Sequence, residues 1–346
     1  MRFGAPAIAI ALTITVSSIM FALMGHEPLA TLYAFFVVPL STLNGLSEWL
    51  LKASPLILIA CGLAIGFRAN VWNIGAEGQL IIGAIAATGV GLFYPDPESK
   101  LILPLMIIAG LLGGMAWAAI PAFLRARMNT NEILVTLMLT YVATLFLSPL
   151  VHGPWRDPDG FNYPQTALLP SAAMFETFDY SYRLNTSIFI TLIAVIAMWV
   201  FTERSFFGYK MSVGGEAPLA ARYAGFSESG SIWIGLLISG GVAGIAGMAE
   251  ASGPLGQLSP QISPGYGFAA IIVAFIGRLH AIGIVFGGLF LSLLYIGGEA
   301  VQLSLGLPSA VTLIFQGMLL FFLLSSDFLI FYRIRRVEHH AVGGHA

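Results

Sequence analysis

The sequence predicts an all-α, polytopic membrane protein of about ten transmembrane helices, with an inverted internal repeat and broken helices. Three observations carry that reading. Only 9% of the 346 residues are charged while 58% are hydrophobic, and the mean hydropathy is +0.88, far from soluble composition, where roughly a quarter of residues are charged. Several apolar runs exceed the roughly 18 residues needed to cross a hydrocarbon core. Basic and acidic loops also alternate along the chain, as the inside bias of Lys and Arg requires.

Apolar segments lie near 5–25, 29–50, 53–67, 72–93, 101–123, 132–151, 186–202, 231–251, 266–280, 282–303 and 309–331. The first is too long for a signal-peptide core and no small-residue cleavage site follows it, so it reads as an uncleaved span. Parity decides how 29–67 is counted. If 29–50 and 53–67 both crossed, Arg125 and Arg127 would fall outside. Counted as one net crossing, entered by a tilted or interfacial piece around Glu48 and Lys52, the segment leaves ten spans and both termini cytoplasmic. Arg2, Arg68, Arg125, Arg127, Arg204, Lys210, Arg222, Arg278, Arg333, Arg335 and Arg336 are then inside, and only Lys52, Lys100, Arg156 and Arg183 outside. Residues 1–331 form a single transmembrane domain, with repeat halves near 29–151 and 231–331, and 332–346 form a cytoplasmic tail.

Spans two to five begin and end outside, whereas spans seven to ten begin and end inside, so the two groups are oppositely oriented. Each is interrupted early: by "RANVWNIGAEGQ" from Arg68 in the first, and by "SGPLGQLSPQISPGYGF" from Ser252 in the second. Matching Gly/Pro interruptions point to a substrate path, because irregular backbone survives at membrane depth only when buried in protein or lining water. Asn73 reads as a helix cap with Glu77 in the first turn. Asn73, Glu77 and Gln79 therefore either brace neighbouring helices or face a cavity. Glu250, Glu299 and Gln302 are polar groups at or near membrane depth, and either meet solute or satisfy broken-helix backbone. Tyr266 and Phe268 either stack on a solute ring or pack in the core. Glu132, behind Asn129 and Asn131, reads as helix-start chemistry. The spacings Gly110–Gly114, Gly240–Gly244 and Gly283–Gly287 let helices approach closely.

The loop after span six contains "GGEAPLAARYAGF", read as one short amphipathic helix over Gly215–Phe226. Glu216 stands near its positive end, Pro218 in its first turn and Gly225 at its close. Leu219, Arg222 and Tyr223 share a face with Ala221 between them. Such a helix either docks to a partner or lies on the membrane surface. The loop from His152 to Arg183, with Trp155, Phe161, Tyr163, Phe175 and Phe178, is long enough to be a docking surface in its own right.

Several chemistries have nothing to stand on. No lysine follows a glycine, so there is no P-loop. No His-Glu-x-x-His or paired-cysteine spacing suggests a metal, although His339, His340 and His345 could bind one weakly. No nucleophile elbow is present. Cys61 is the one cysteine, and a net charge of −2 gives no sign of nucleic acid. No cofactor and no enzymatic activity are expected.

Five stretches in order, "FRANVWNIGAEGQLIIGAIAA", "NEILVTLMLTYVA", "GPWRDPDGFNYPQTALLP", "GGEAPLAARYAGF" and "GFAAIIVAFIGRLHAIGIVFGGLF", resemble the membrane permeases of ABC importers. Within them the chain is similar to the nucleoside-uptake branch of the ribose and branched-chain amino acid permeases, and to the longer of two paired permeases. The resemblance implies a bacterial inner-membrane subunit without catalytic residues of its own. It also implies a cytoplasmic ABC ATPase that receives Gly215–Phe226 as a coupling helix, a second paralogous permease and an extracytoplasmic substrate-binding protein. Ribose-like sugars are the alternative substrates, and an ion-coupled secondary transporter using Glu77 or Glu250 is the more distant reading.

Overall fold

A computed structural model describes residues 4–331, and the described chain is helical with no named strand. Arg2, Arg333, Arg335, Arg336 and the histidine tail lie outside the described residues. The helices are α1 (Gly4–Leu23), α2 (Pro28–Phe36), α3 (Leu43–Arg68), α4 (Ala76–Phe93), α5 (Ile102–Met128) and α6 (Glu132–His152). They continue with α7 (Ile188–Arg204), α8 (Phe206–Glu216), α9 (Pro218–Tyr223), α10 (Glu228–Glu250), α11 (Tyr266–Ile276), α12 (Ala281–Leu305) and α13 (Ala310–Phe331).

Six of these, α3, α4, α5, α6, α10 and α12, are long and apolar enough to cross a membrane. A seventh crossing arises if α7 and α8, bent by 69° at Ser205, count as one span. The expected ten is reached only by adding α1, α11 and α13, whose apolar stretches among the described residues are shorter. The division of 29–67 is corrected. Glu48 and Lys52 lie within the continuous helix α3, capped by Thr42 accepting from Gly45 N. The separate entry piece is α2 with the 3-10 turn Val38–Leu40, so no boundary exists near residue 53.

Helix α3 is the axis of the molecule, with 89% of its most apolar window buried. Its lipid-like sequence is therefore spent on protein neighbours and not on lipid. Helices α5 and α10 meet through two of the glycine pairs: a Cβ on Gly114 would overlap Gly240 O, and one on Gly244 would overlap Gly110 O. Without side chains at the crossing, the backbones touch directly. Gly283 meets Gly277 across the α11–α12 turn in the same way.

The basic residues fall at two opposite ends. Arg68, Arg125, Lys210 and Arg222 gather at one, the basic end, where Arg68 bonds Glu203 and Leu279 O beside Arg278. Lys52 and Arg183 lie at the other, the loop end, about 24 Å along α3 from Arg68 at the helical rise per residue.

Candidate functional site

The chain is broken between α3 and α4, over Ala69–Gly75, and again between a π-helical turn (Ala251–Leu255) and α11, over Gly256–Gly265. Both breaks are narrower than the sequence suggested, because helix continues through Arg68 in one and through Leu255 in the other. They converge inside the bundle. Gly267 N donates to Glu77 Oε2 at 2.6 Å, and a Cβ on Gly267 would overlap the backbone nitrogen of Glu77. The N-terminal turns of α4 and α11 thus abut, and one buried carboxylate serves both positive helix ends. Only glycine permits that approach.

The first break is closed by side chains. Asn73 and Gln79, both 1% exposed, pair amide to amide, at 2.7 Å from Asn73 Nδ2 to Gln79 Oε1, and Asn73 Nδ2 also donates to Ser239 Oγ of α10 at 2.8 Å. Gly75 N donates to Asn73 Oδ1, Ile74 N to Thr136 Oγ1 and Trp72 N to Glu132 Oε1. Glu132 also holds Arg125 in an ion pair. Asn131 caps α6 by accepting from Ile133 N and Leu134 N, as read from sequence. Gly75, and not Asn73, is the cap position of α4; Asn73 acts two residues earlier as a clamp on the turn.

The second break borders a cavity of about 310 Å3 at the loop end. Glu48, Lys52, Arg183, Glu250, Gln261, Tyr266 and Glu299 are among the residues lining it. Lys52 pairs with Glu299, and Arg183 with Glu48 at 3.5 Å. Glu250, 8% exposed at the end of α10, has no hydrogen bond to any described residue. Tyr266 packs edge-on against Tyr295 at 5.7 Å. The long loop after α6 is laced onto this break: Thr166 N donates to Leu258 O, Leu169 N to Gly256 O and Phe175 N to Ser252 O, while Arg183 donates to Pro254 O. Its outer face exposes Phe161, Tyr163, Phe178 and Tyr180.

At the basic end a cavity of about 250 Å3 separates the first break from α9. The stretch Gly215–Phe226 is not one helix. Gly215 and Glu216 finish α8, Ala217 leaves helical geometry, and α9 starts at Pro218, so Glu216 sits at a negative helix end. Gly225, at φ +76°, terminates α9 as read. Leu219, Arg222 and Tyr223 are exposed, Tyr223 almost fully, whereas Ala221 is buried against the cavity. Gly215 packs on the backbone of Arg68 and Ala69, where any Cβ would overlap Arg68 O. Phe226 packs on Phe206 and Tyr209, with Lys210 Nζ 4.5 Å above the Phe206 ring.

The structure brings Asn73, Glu77 and Gln79 together at the first break, and Glu250, Tyr266 and Glu299 together around the outer cavity. Phe268 and Gln302 join neither: Phe268 is 40% exposed on α11, and Gln302 is exposed on α12. Glu299 is exposed as well, at the mouth and not at buried depth. Sequence reasoning missed Glu48, Lys52, Arg183 and Gln261 as lining residues. A signal existed for two of them, since Lys52 and Arg183 are cations at the cation-poor end and needed partners. Among the described residues no group of three or more His, Cys, Asp or Glu is placed to hold a metal ion.

Comparison with known proteins follows the same outline. The family described as branched-chain amino acid transport system / permease component matches residues 45–324. The chain is 33% identical over 344 residues to a glucose ABC transporter permease of Haloferax volcanii, covering 96% of this chain and 90% of that protein. It is 31% identical to a guanosine ABC transporter permease of Bacillus subtilis, covering 93% and 92%. It is 28% identical to a nucleoside ABC transporter permease of Lactococcus lactis, covering 92% and 89%. Each of these two bacteria holds a second matching permease of the same printed specificity. No solved structure matches the chain. The chain belongs to the branched-chain amino acid transport permease family, the membrane components of ABC transporters, and is a permease and not an enzyme.

Proposed function

We propose that this chain forms half of the pore of an ATP-driven nucleoside importer in the bacterial inner membrane, with both termini cytoplasmic. The meeting of the two breaks at Glu77 and Gly267 is the observation that supports alternating access between oppositely oriented halves. Each break is tied to a different surface. Gly215 joins α8 and α9 to the first, and the loop after α6 is hydrogen-bonded to the second. A cytoplasmic ATPase gripping Leu219, Arg222 and Tyr223 would move α9 with the end of α3. A binding protein on the outer loop would address the second break.

With no P-loop here, ATP is hydrolysed on the separate ATPase subunit. A paralogous permease completes the pore, a pairing supported by the paired nucleoside permeases of the relatives' hosts. Substrate passes between Asn73, Glu77 and Gln79 on one side and Glu250, Tyr266, Phe268, Glu299 and Gln302 on the other as the halves separate.

Nucleosides are favoured by two of the three relatives above, whose printed substrates are guanosine and nucleosides. A simple sugar is the second reading, favoured by the glucose permease. These solutes share a ring rich in hydroxyl groups.

The test is uptake of labelled adenosine, guanosine, glucose and ribose by proteoliposomes holding the complete importer. Saturable, ATP-dependent nucleoside uptake is expected, and uptake of sugar alone overturns the nucleoside assignment. In the same vesicles Leu219→Ala with Tyr223→Ala should leave the fold intact, since both side chains are exposed, and abolish stimulation of the ATPase by loaded binding protein.

A further inference from the structure

Resting on the nucleoside reading, we infer that the cavity at the loop end is a docking station for the sugar hydroxyls of the solute, with Glu250 as the acceptor of a vicinal diol.

Most of the charges around the cavity are already matched. Lys52 is paired with Glu299, and Arg183 with Glu48, and in both pairs one partner is well exposed. Glu250 is different: it is buried, it faces the cavity, and no donor among the described residues reaches it. A carboxyl group that opens on a cavity without a protein donor leaves both oxygens for a ligand to complete. Lys52 and Arg183 line the same cavity but are engaged elsewhere. A carboxyl group presents two oxygens side by side, which can take two parallel partners. Two adjacent hydroxyls of a ribose ring present that pair.

The rest of the cavity fits a neutral polar solute better than an ion. Its two cations and three carboxylates nearly cancel, so neither an anion nor a metal ion finds a dominant partner. Gln261 can donate and accept beside the diol. Tyr266, fixed edge-on to Tyr295, adds an aromatic wall of the kind that covers the apolar face of a sugar. At about 310 Å3 the cavity lies within the range of small-molecule sites.

Position adds a consequence. Tyr266 is the first residue of α11, next to Gly267, which abuts Glu77. A solute drawing Glu250 and Tyr266 together would act directly on the joint between the two breaks.

The test uses the complete permease pair with its ATPase in nanodiscs, without binding protein, and ligand-observed saturation-transfer NMR with adenosine, 2′,3′-dideoxyadenosine and ribose. In the wild-type complex adenosine should show its strongest contacts at the ribose protons, and the dideoxy analogue should bind about 10- to 100-fold more weakly, the loss expected for one or two hydrogen bonds to a charged group. Glu250→Gln should remove most of that preference while the complex stays monodisperse. Equal binding of adenosine and its dideoxy analogue to the wild type overturns the station without any variant. Full retention of the preference in Glu250→Gln overturns the role of Glu250. Failure of the nucleoside reading would look different: the importer would carry no nucleoside, yet free ribose would still bind and be lost in Glu250→Gln.

Discussion

The two breaks solve one problem in unlike ways. Both interrupt a buried helix, so both expose backbone donors that hydrocarbon cannot satisfy. At Ala69–Gly75 the donors are met by carbonyls at the end of α3, by Glu132 and Thr136 of α6 and by Asn73 of the break itself, which is in turn clamped to Gln79 and Ser239. At Gly256–Gly265 a surface loop meets the carbonyls instead, Thr166 N donating to Leu258 O and Leu169 N to Gly256 O, while Thr166 Oγ1 accepts from Leu258 N and a charged cavity lies alongside. A break packed shut by specific side chains is stiff and transmits displacement. A break laced to a loop can change shape with that loop. The contrast suits the first break to transmission and the second to the solute contact inferred above.

The largest expected effect strikes where the two meet. In Gly267→Ala the new methyl would overlap the Glu77 backbone, which cannot retreat as a side chain could. A destabilisation of about 3 kcal/mol or more is expected, at the upper end of overpacking costs. Gly265→Ala is the comparison: its φ of +93° is unfavourable for alanine, but nothing lies within 4 Å of the added methyl. Its cost should be about 1–2 kcal/mol. Thermal unfolding of the purified complex ranks the two, and equal shifts would mean that α4 and α11 do not touch as described.

An intermediate effect separates the breaks themselves. Asn73→Leu strands the amide of Gln79 and leaves Gly75 N without its acceptor. About 1–2 kcal/mol should be lost, above the average for hydrogen bonds between membrane helices because several buried groups lose partners together. Gln257→Leu removes only the half-buried bond to Gln165 in the second break and should cost less than about 1 kcal/mol. If Gln257→Leu proved the more damaging, the stiff and the pliant break would have to be exchanged.

Much of this contrast was legible in the sequence. Apolar length marked out the main helices. The breaks announced themselves as Gly, Pro and amide residues between apolar runs. The partners did not. Nothing in local spacing tells Glu77 that its donor lies 190 residues away at Gly267, and a buried amide such as Asn73 reads the same whether it faces a cavity or another amide. The outer cavity was only partly visible, because Glu48 and Lys52 come from α3, Arg183 from a loop, and Glu299 from the far end of α12. Composition also misplaced the boundary within 29–67: the charges at Glu48 and Lys52 suggest an interfacial piece, yet α3 runs on through both and through Pro55.

The smallest expected effect tests whether the two ends differ in their ion pairs as they do in their breaks. At the basic end Arg68 directs two N–H donors to one oxygen of Glu203 at 3.0 Å and a third to Leu279 O, so its guanidinium is held before the carboxylate is counted. At the loop end Arg183 meets Glu48 at 3.5 Å with over half of its side chain exposed. Fixing one partner in advance lowers the side-chain entropy lost on pairing, which is what usually cancels a surface pair. Glu203→Gln should therefore cost up to about 1 kcal/mol, and Glu48→Gln a few tenths at most. Melting both variants beside the wild type at low and at high salt provides the check: the Glu203→Gln difference should shrink as salt screens the pair, whereas that of Glu48→Gln should be near zero throughout. A larger, salt-sensitive loss at Glu48 would make the loop end the more rigid of the two and undo the division of labour between the breaks.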